Sequence, residues 1–575
     1  MIVHVLACDY DGTIAEQACV ADTTVKALAR VRESGRKLVL ATGRLLSELQ
    51  AIFPKVNEMF DAVVAENGAV LYFPGRREVK VLGDPPERAL IEALQKRNVG
   101  VTLGSSILAS WVNFAEPALA AIQEAGVERT LVFNKGAMML VPGGVTKGTG
   151  LLRALVSMGL SPHNMVGIGD AENDHAFLAL CECAVAVADA VPALRERADY
   201  VTRAPSGRGV VEFIEEHLLN DLVEIIPGIS RHQFQLGEAD DGTPATIAVH
   251  GTNLLIVGPS ATGKSTITGV LVERLVETGR TFCLLDPEGD YQTLAELEGV
   301  VVLGGKAEQA LPTPEELNQL LRHPRTSLVL NLSAMSLGEK VGYATKALAT
   351  VSTVSNATGM PHWLIIDEAH HIMPADESSA AEWLQRRHDA LCLVTISAEE
   401  LAKTALTEIN VLASTQMAAF EVGLRALLRD GASRPPAAGE GQLERGEAIL
   451  ARLGTSESRT VRFRVDRRRI VHRRHVRKYV EGELSPERSF YFRGEKGELN
   501  LRAANLIRFC ELAEGIDDAT WAYHLGRGEY SAWVGRRIKD PELAREIAAV
   551  EGSQDLSPAV SRRLVLQACR RRYAV

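Results

Sequence analysis

The chain has 575 residues, 46% apolar and 24% charged, with 63 Lys and Arg against 73 Asp and Glu for a formal charge of −10. That length exceeds one hydrophobic core and the composition excludes disordered and fibrous classes, so two to four folded domains are expected. The acidic balance argues against a protein that coats nucleic acid throughout, and the eight cysteines, with no CxxC pair and no zinc spacing, read as reduced, mostly buried thiols.

The opening MIVHVLACDYDGT lacks a basic region, a long apolar core and a small-residue cleavage site. No run of about 18 apolar residues follows, so a soluble cytoplasmic protein without membrane contact is expected. The segment HVLACDYDGTIAE reads as a buried strand that ends abruptly in Asp9, Tyr10, Asp11, Gly12 and Thr13. This sets two carboxylates at the carboxyl end of a strand, where open α/β sheets bind ligands. A second strand, RKLVLATGR, ends at Thr42. A third, NMVGIGDAEND, ends at Asp170 with Asp174 one helical turn on, and between them Lys147 sits just ahead of an amphipathic helix.

Phosphoryl transfer needs a nucleophile, a proton carrier, a cation and donors for the phosphate oxygens. Asp9 is the expected nucleophile, and Asp11 the acid that protonates the leaving oxygen and then activates water. Thr42 and Lys147 are expected to hold the phosphoryl group. Asp170, with Asp9 and the backbone carbonyl of Asp11, is expected to bind Mg²⁺, a hard cation that favours oxygen ligands. Asp174 and Asn173 orient that set of ligands.

The order DYDGT, LATGR, ENGA (66–69), TKG (146–148), GDAEND (169–174), VAVADA and RADYVT resembles the haloacid-dehalogenase superfamily, and within it the Cof-type phosphatases, over about residues 1–220. Residues 84–143 read helix, two strands, helix, two strands; in that family an insertion here is a cap that selects the substrate. The resemblance implies a small phosphorylated metabolite, such as a phospho-sugar or phosphoglycolate.

From Ile229 the pattern becomes β-type, then NLLIVGPSATGKSTITGVLVERLVETG supplies an apolar strand, a GxxxxGK[ST] loop and a helix. The loop runs Gly258, Pro259, Ser260, Ala261, Thr262, Gly263, Lys264, Ser265, Thr266. Its backbone N–H groups and helix N-terminus are expected to cradle ATP, with Lys264 on the β/γ-phosphates and Ser265 on Mg²⁺. The strand in PHWLIIDEAHHIMP ends in Asp367, expected to hold the Mg²⁺ water shell, and Glu368, expected to polarise the attacking water. GPSATGKST, LLDPEGDY, LVLNLS (328–333) and LIIDEAHH together resemble the HerA/FtsK group of ring-forming ATPases over about residues 229–425. That resemblance implies a homo-oligomer, with a hexameric ring as one form. Where these translocases usually carry Thr-Gln after the next strand, this chain has LCLVTISAEELAKTALTEINVLAST, with Thr395 as the candidate sensor, a departure that speaks against DNA translocation but not against nucleotide binding; Arg425 and Arg429 are candidate arginine fingers by position alone.

A Gly, Pro and Ala-rich stretch (430–448) reads as a linker. Beyond it, ten of the twenty residues from Arg459 to Lys478 are basic, which suits either a phosphate-facing strip or an exposed strand face. Residues 498–551 read as helical, with Trp521, Tyr523, His524, Tyr530 and Trp533 forming a small core.

The expected fold is therefore α/β in three parts. These are a Rossmann-like domain (1–222) with a small α+β cap (about 84–143), a RecA-like P-loop ATPase domain (223–440), and a basic β segment with a helical domain (441–575). The expected function is bifunctional, phosphomonoester hydrolysis plus ATP hydrolysis. A nucleic-acid motor with an attached phosphatase and a nucleotide-dependent assembly scaffold are the alternatives, and nucleic acid is not the favoured partner.

Overall fold

The computed structural model describes the chain except Met1 and residues 230–231, 306–309, 376–389, 429–441, 454–459, 468–483, 485, 496, 498, 539, 554–555 and 574–575. Its contacts divide into two units, Met1–Pro287 with Leu297–Arg467, and Glu288–Glu296 with Arg468–Val575.

The first unit holds two large sheets. In the N-terminal one the strands run in the order Tyr200–Val201, Cys183–Ala186, Met165–Gly169, Val5–Asp9, Lys37–Ala41, Ala62–Ala65, Val70–Phe73, Glu78–Val81. The first six are parallel, and the last two are joined by antiparallel pairings. The central strand Val5–Asp9 is buried along its whole length, as a continuous apolar run requires when helices cover both faces. Its register pairs Asp9 with Ala41 and Cys8 with Ile168, so Asp9, Thr42 and Asp170 leave the sheet together at one edge.

Between Val81 and Lys147 the chain builds the cap. Helices Arg88–Lys96 and Ala115–Ala125 pack on an antiparallel sheet ordered Thr102–Leu103, Leu108–Trp111, Ala137–Pro142, Arg129–Asn134. One face of that sheet carries Leu108, Met138 and Leu140 against the two helices. The other carries Met139 and Val141 against Ala69, with Ala109 and Val132 at its margin, and so roofs the N-terminal domain. Period-2 alternation gives each face a different partner.

The second large sheet is ordered Pro244–Ala248, Gln233–Glu238, Thr460–Val465, Glu447–Arg452, Val411–Ser414, Thr252–Val257, Ala390–Thr395, Trp363–Ile366, Phe282–Asp286, Ser327–Asn331, Val300–Gly304. The strands Glu447–Arg452 and Thr460–Val465, expected in the C-terminal region, pair with the P-loop sheet instead, because Val411–Ser414 offers its free side to Glu447–Arg452. Arg462 and Arg464, part of the basic run, point their guanidinium groups at Glu447 of the same sheet. Most of the run, including Arg459 and 468–478, lies outside the described residues, as does most of the 430–448 linker.

In the second unit the strands Phe490–Phe492 and Leu501–Ala503 form a hairpin, followed by helices Leu506–Gly515, Asp518–Gly526, Glu529–Trp533, Pro541–Glu551 and Pro558–Tyr573. Residues 501–503 were expected to be helical. The helix starts later because the Asn505 side chain accepts from Arg508 N at 2.8 Å and caps it there. Trp521 stacks on Tyr530 at 4.3 Å between ring centres, and Trp533 and His524 join Phe490 and Phe509 around them. Tyr523, expected in that core, is only half-buried.

Candidate active site

Asp9 ends its strand with a side chain 2% exposed. Lys147 is the first residue of helix Lys147–Met158, whose start is set by a capping box between Thr146 and Thr149. Its buried ammonium lies 2.5 Å from Asp9 Oδ1 and 2.6 Å from Asp174 Oδ1. Asp174 Oδ2 accepts the backbone N–H of Asp170 and Ala171, so it also shapes the turn that presents Asp170. Thr13 Oγ1 donates to Asp170 Oδ1 at 2.8 Å. Thr42 is fully buried at the end of the neighbouring strand, and its hydroxyl oxygen accepts from Arg44 N.

ENGA (66–69), to which the sequence assigns no role of its own, joins the other motifs in the structure. Glu66, Asn67 and Gly68 take positive φ angles in succession (50°, 54°, 107°). At Gly68 a Cβ would stand 1.9 Å from Thr146 O, so only glycine lets this turn close on the Lys147 loop. Asn67 N donates to Thr42 O, and Asn67 Oδ1 accepts from Asn173 Nδ2 at 3.2 Å. The buried Glu66 carboxylate accepts the N–H groups of Ser105 and Ser106, both at 3.0 Å, and ties the cap to the site.

Three further residues were not singled out as site residues. Arg44, the last letter of LATGR, grips Asp11 through Nε and Nη2 at 2.7 and 2.6 Å. Thr13 ends DYDGT, so both had a signal in their motifs. Lys135 lies in the cap turn Asn-Lys-Gly, which reads only as a hairpin turn, yet its ammonium is 2.5 Å from Asp170 Oδ2.

Oxygens of Asp9, Asp170 and Asp174 lie within 4.8 Å of one another. The Asp11 side chain is turned instead to Arg44, so any part it takes in metal binding falls to its backbone carbonyl. Burial, opposed by the Lys147 charge and reinforced by Asp174 and Asp170, raises the Asp9 carboxyl well above its ordinary value. Burial also raises Asp170. Lys147 is raised too, because the two carboxylates outweigh its desolvation. Asp9 Oδ2 is buried and accepts no hydrogen bond from the described residues. Crowded carboxylates with an unengaged inward oxygen fit a hard divalent cation.

The second site lies at the carboxyl edge of the P-loop sheet. Helix Lys264–Glu277 follows the loop, in which Gly258, Ala261 and Gly263 have positive φ. The Lys264 ammonium donates to Gly258 O and Pro259 O at 2.8 and 3.2 Å, and Ser265 is buried beside it. Thr262 Oγ1 meets Thr415 Oγ1 at 2.6 Å, which brings the last residue of the LCLVTISAEELAKTALTEINVLAST segment to the loop. Its signal was the Thr415-Gln416 pair one strand later than the Thr-Gln position considered. Asp367 is buried at the end of Trp363–Ile366, and Glu368 follows in a left-handed conformation at φ 42°. Thr395 pairs with Val257 in register and lies 3.2 Å from His370 Nδ1. Arg425 is exposed on helix Met417–Leu427, with its Nε on its own helix; Arg429 lies outside the described residues.

Residues 6–106 and 115–214 match the family model for haloacid dehalogenase-like hydrolases. The phosphoglycolate phosphatase of Methanothermobacter thermautotrophicus is 34% identical over 228 residues, which are 38% of this chain and 99% of that protein. The chain belongs to the haloacid dehalogenase-like hydrolases. Phosphoglycolate phosphatase 2 of Saccharolobus solfataricus is 31% identical to the hydrolase domain, covering 37% of this chain and 91% of its own. The phosphoglycolate phosphatase of Haloarcula marismortui is 32% identical, at 36% and 95% coverage. Residues 234–355, which begin in the first strand of the P-loop sheet and include the P-loop, match the model for the central domain of helicase HerA. Asp367 and Glu368 lie beyond that match. No helix among the described residues is long and apolar enough to cross a membrane.

Proposed function

We propose that the hydrolase domain (1–222) cleaves phosphomonoesters of small metabolites through an aspartyl-phosphate, and that the P-loop domain hydrolyses ATP in a homo-oligomer that controls it. The observation that carries the first part is the buried Asp9, held by Lys147 beside Asp170 and Asp174. The names of the relatives make 2-phosphoglycolate the first substrate to test.

A carboxylate oxygen of Asp9 attacks phosphorus, the bond to the leaving oxygen breaks, and Asp11 delivers a proton to that oxygen. Water then attacks the acyl-phosphate with Asp11 accepting its proton, which releases phosphate and restores Asp9. Arg44 holds the Asp11 carboxylate in place through two bonds and leaves it about a third exposed, open to a substrate from the solvent side. Lys147 and Thr42 orient the phosphoryl oxygens. Asp9, Asp170 and the Asp11 backbone carbonyl, with Asp174 behind them, would hold Mg²⁺. The ion neutralises phosphate charge when bound. In the P-loop domain Lys264 and the loop amides would receive the ATP phosphates, Ser265 and Asp367 would hold the Mg²⁺ that accompanies them, and Glu368 would orient water.

Phosphate release from 2-phosphoglycolate and a panel of small phosphomonoesters, measured on the full chain with Mg²⁺, tests the first part. Absence of turnover on every compound would refute it. The HerA match favours a second reading, a nucleic-acid motor carrying a phosphatase for nucleotides or strand ends. ATPase measured with and without DNA separates the two, since stimulation supports the motor. No ATP turnover at all would leave an assembly scaffold. A cytoplasmic location belongs to the same proposal.

A further inference from the structure

The cap carries five cations between Arg88 and Pro142, and four of them are engaged on groups of the cap or its entry. Arg88 pairs with Glu92, Lys96 and Arg97 pair with Glu124, and the buried Arg129 pairs with Glu87 and backbone carbonyls. Lys135 differs. Its ammonium leaves the cap and meets Asp170 of the catalytic edge, while the side chain stays 48% exposed. A Cβ placed on Gly12, inside the DYDGT turn, would stand 3.0 Å from that ammonium. The amine therefore hangs over the loop that carries Asp9 and Asp11.

The lysine is delivered there by a fixed turn. Lys135 has φ 51° between strands Arg129–Asn134 and Ala137–Pro142, and its backbone N–H donates to Glu172 Oε2 of the Asp170 loop at 3.0 Å. The rest of the roof offers little charge. The cap face turned to the core presents Met139 and Val141, with Ala109 and Val132 beside them, and Met139 Sδ would be 3.0 Å from a Cβ on Gly43 of the LATGR turn. A leaving group under this roof meets an apolar face and the half-exposed ammonium of Lys135.

We propose that Lys135 is the specificity-determining residue of the hydrolase site, binding a second anionic group on the leaving side of the substrate. The site then selects short phosphorylated acids, whose carboxylate lies a few bonds from the phosphoryl group, over neutral phosphomonoesters. This rests on the phosphatase reading above. In the structure Asp170 holds the ammonium; a divalent cation on Asp170 would repel the like charge and leave the half-exposed lysine to the incoming carboxylate. A charge-assisted hydrogen bond of this kind corresponds to about a 10- to 100-fold preference.

The experiment compares 2-phosphoglycolate with 2-hydroxyethyl phosphate, which replaces the carboxylate by a neutral CH₂OH on the same skeleton. Steady-state kinetics are run on the full chain with Mg²⁺, for the wild type and for Lys135→Ala and Lys135→Arg. The wild type should prefer the acid. Lys135→Ala should lose about 10- to 100-fold in kcat/KM on the acid, mostly through KM, and change about twofold or less on the neutral ester. Lys135→Arg should restore part of the preference. Calorimetric binding of 2-phosphoglycolate with Mg²⁺ to an Asp11→Asn background, which keeps the Asp9 and Asp170 carboxylates and turns over slowly, with and without Lys135→Ala, should show the same loss of affinity. Equal losses on both esters would make Lys135 a support for Asp170 and overturn the proposal, as would no loss on either. A wild type that hydrolyses other phosphomonoesters but neither of these two, or both equally, defeats the role of Lys135, whereas absence of turnover across the whole panel defeats the phosphatase reading itself.

Discussion

Arg280 donates through Nη2 to both carboxylate oxygens of Glu182, at 2.7 and 2.9 Å. Arg280 follows the P-loop helix and Glu182 precedes a strand of the hydrolase sheet, so this pair ties the two sheets of the first unit together. His163, His232 and His250 also lie against the Glu182 carboxylate, at 3.0, 3.0 and 2.5 Å. His362 bridges Thr281 and Ser161 next to them. Removing one partner of a buried pair typically costs about 3–5 kcal/mol. Glu182→Gln should therefore lower the unfolding free energy of the full chain by an amount of that order, read from its denaturant midpoint. A change below about 1 kcal/mol would show that the pair does not hold the domains.

The same cluster sets a pH dependence. Burial works to raise the Glu182 carboxyl, but hydrogen bonds from His163 and His250, with the charges of His250 and Arg280, hold it well below the usual range. A depressed carboxyl contributes stability that is present above its unfolded value of about 4.3 and is lost as pH falls through the folded value. Burial pushes His163 and His362 below the ordinary imidazole value of 6.5. The unfolded chain then binds protons that the folded chain refuses, so stability also falls as pH drops below 6.5. Thermal unfolding followed from pH 8 to pH 3 should show a falling midpoint that begins near pH 6.5, and Glu182→Gln should flatten the part below pH 5.

Asp9→Asn should abolish phosphatase turnover, because an amide forms no acyl-phosphate and is a poor ligand for a hard cation. Asp11→Asn should lower kcat by about 10²–10⁴-fold, the usual worth of a general acid and base. Phosphate release assays on 2-phosphoglycolate read both. A loss of only a few-fold in Asp9→Asn would rule out Asp9 as nucleophile.

Gly68→Ala tests the turn that binds the motifs together. Its φ of 107° and the 1.9 Å approach of a Cβ to Thr146 O force the Lys147 loop away from Asp9. Backbone strain alone costs about 1–3 kcal/mol. Both the melting temperature and the phosphatase rate should fall, while nucleotide binding by the P-loop domain should be retained. Unchanged phosphatase activity would show that Lys147 tolerates displacement.

Lys264→Ala should weaken ATP binding, and Glu368→Gln should trap bound ATP, as nucleotide titration and single-turnover hydrolysis would read. With tethered but independent domains, phosphatase activity on a small ester stays unchanged in both. If a nucleotide-driven assembly opens or closes the cap, the two variants shift it in opposite directions. Total loss of phosphatase activity in folded Glu368→Gln would contradict a self-sufficient hydrolase site.

Much of each site is local in the chain and was legible there. A strand that ends in Asp-x-Asp, a strand that ends in Thr, and a glycine loop before a helix each carry their geometry in a few adjacent residues, because strand ends and turn chemistry are short-range. Asp9, Thr42, Lys147 and Asp170 could thus be named before any sheet was seen; the meeting of Asp9, Thr42 and Asp170 at one edge follows from the parallel register, and Lys147 is brought to them by the start of its helix. Tertiary structure alone decided the rest. Lys135 reaches Asp170 across 35 residues of chain, Glu182 meets Arg280 across 98, and Glu447–Arg452 joins the P-loop sheet rather than a later domain. Neither hydrophobic period nor turn type encodes such pairings, since each depends on which surfaces remain open once the sheets have formed. A lysine in a hairpin turn and a glutamate ahead of a strand read as solvated residues until packing brings a partner to them.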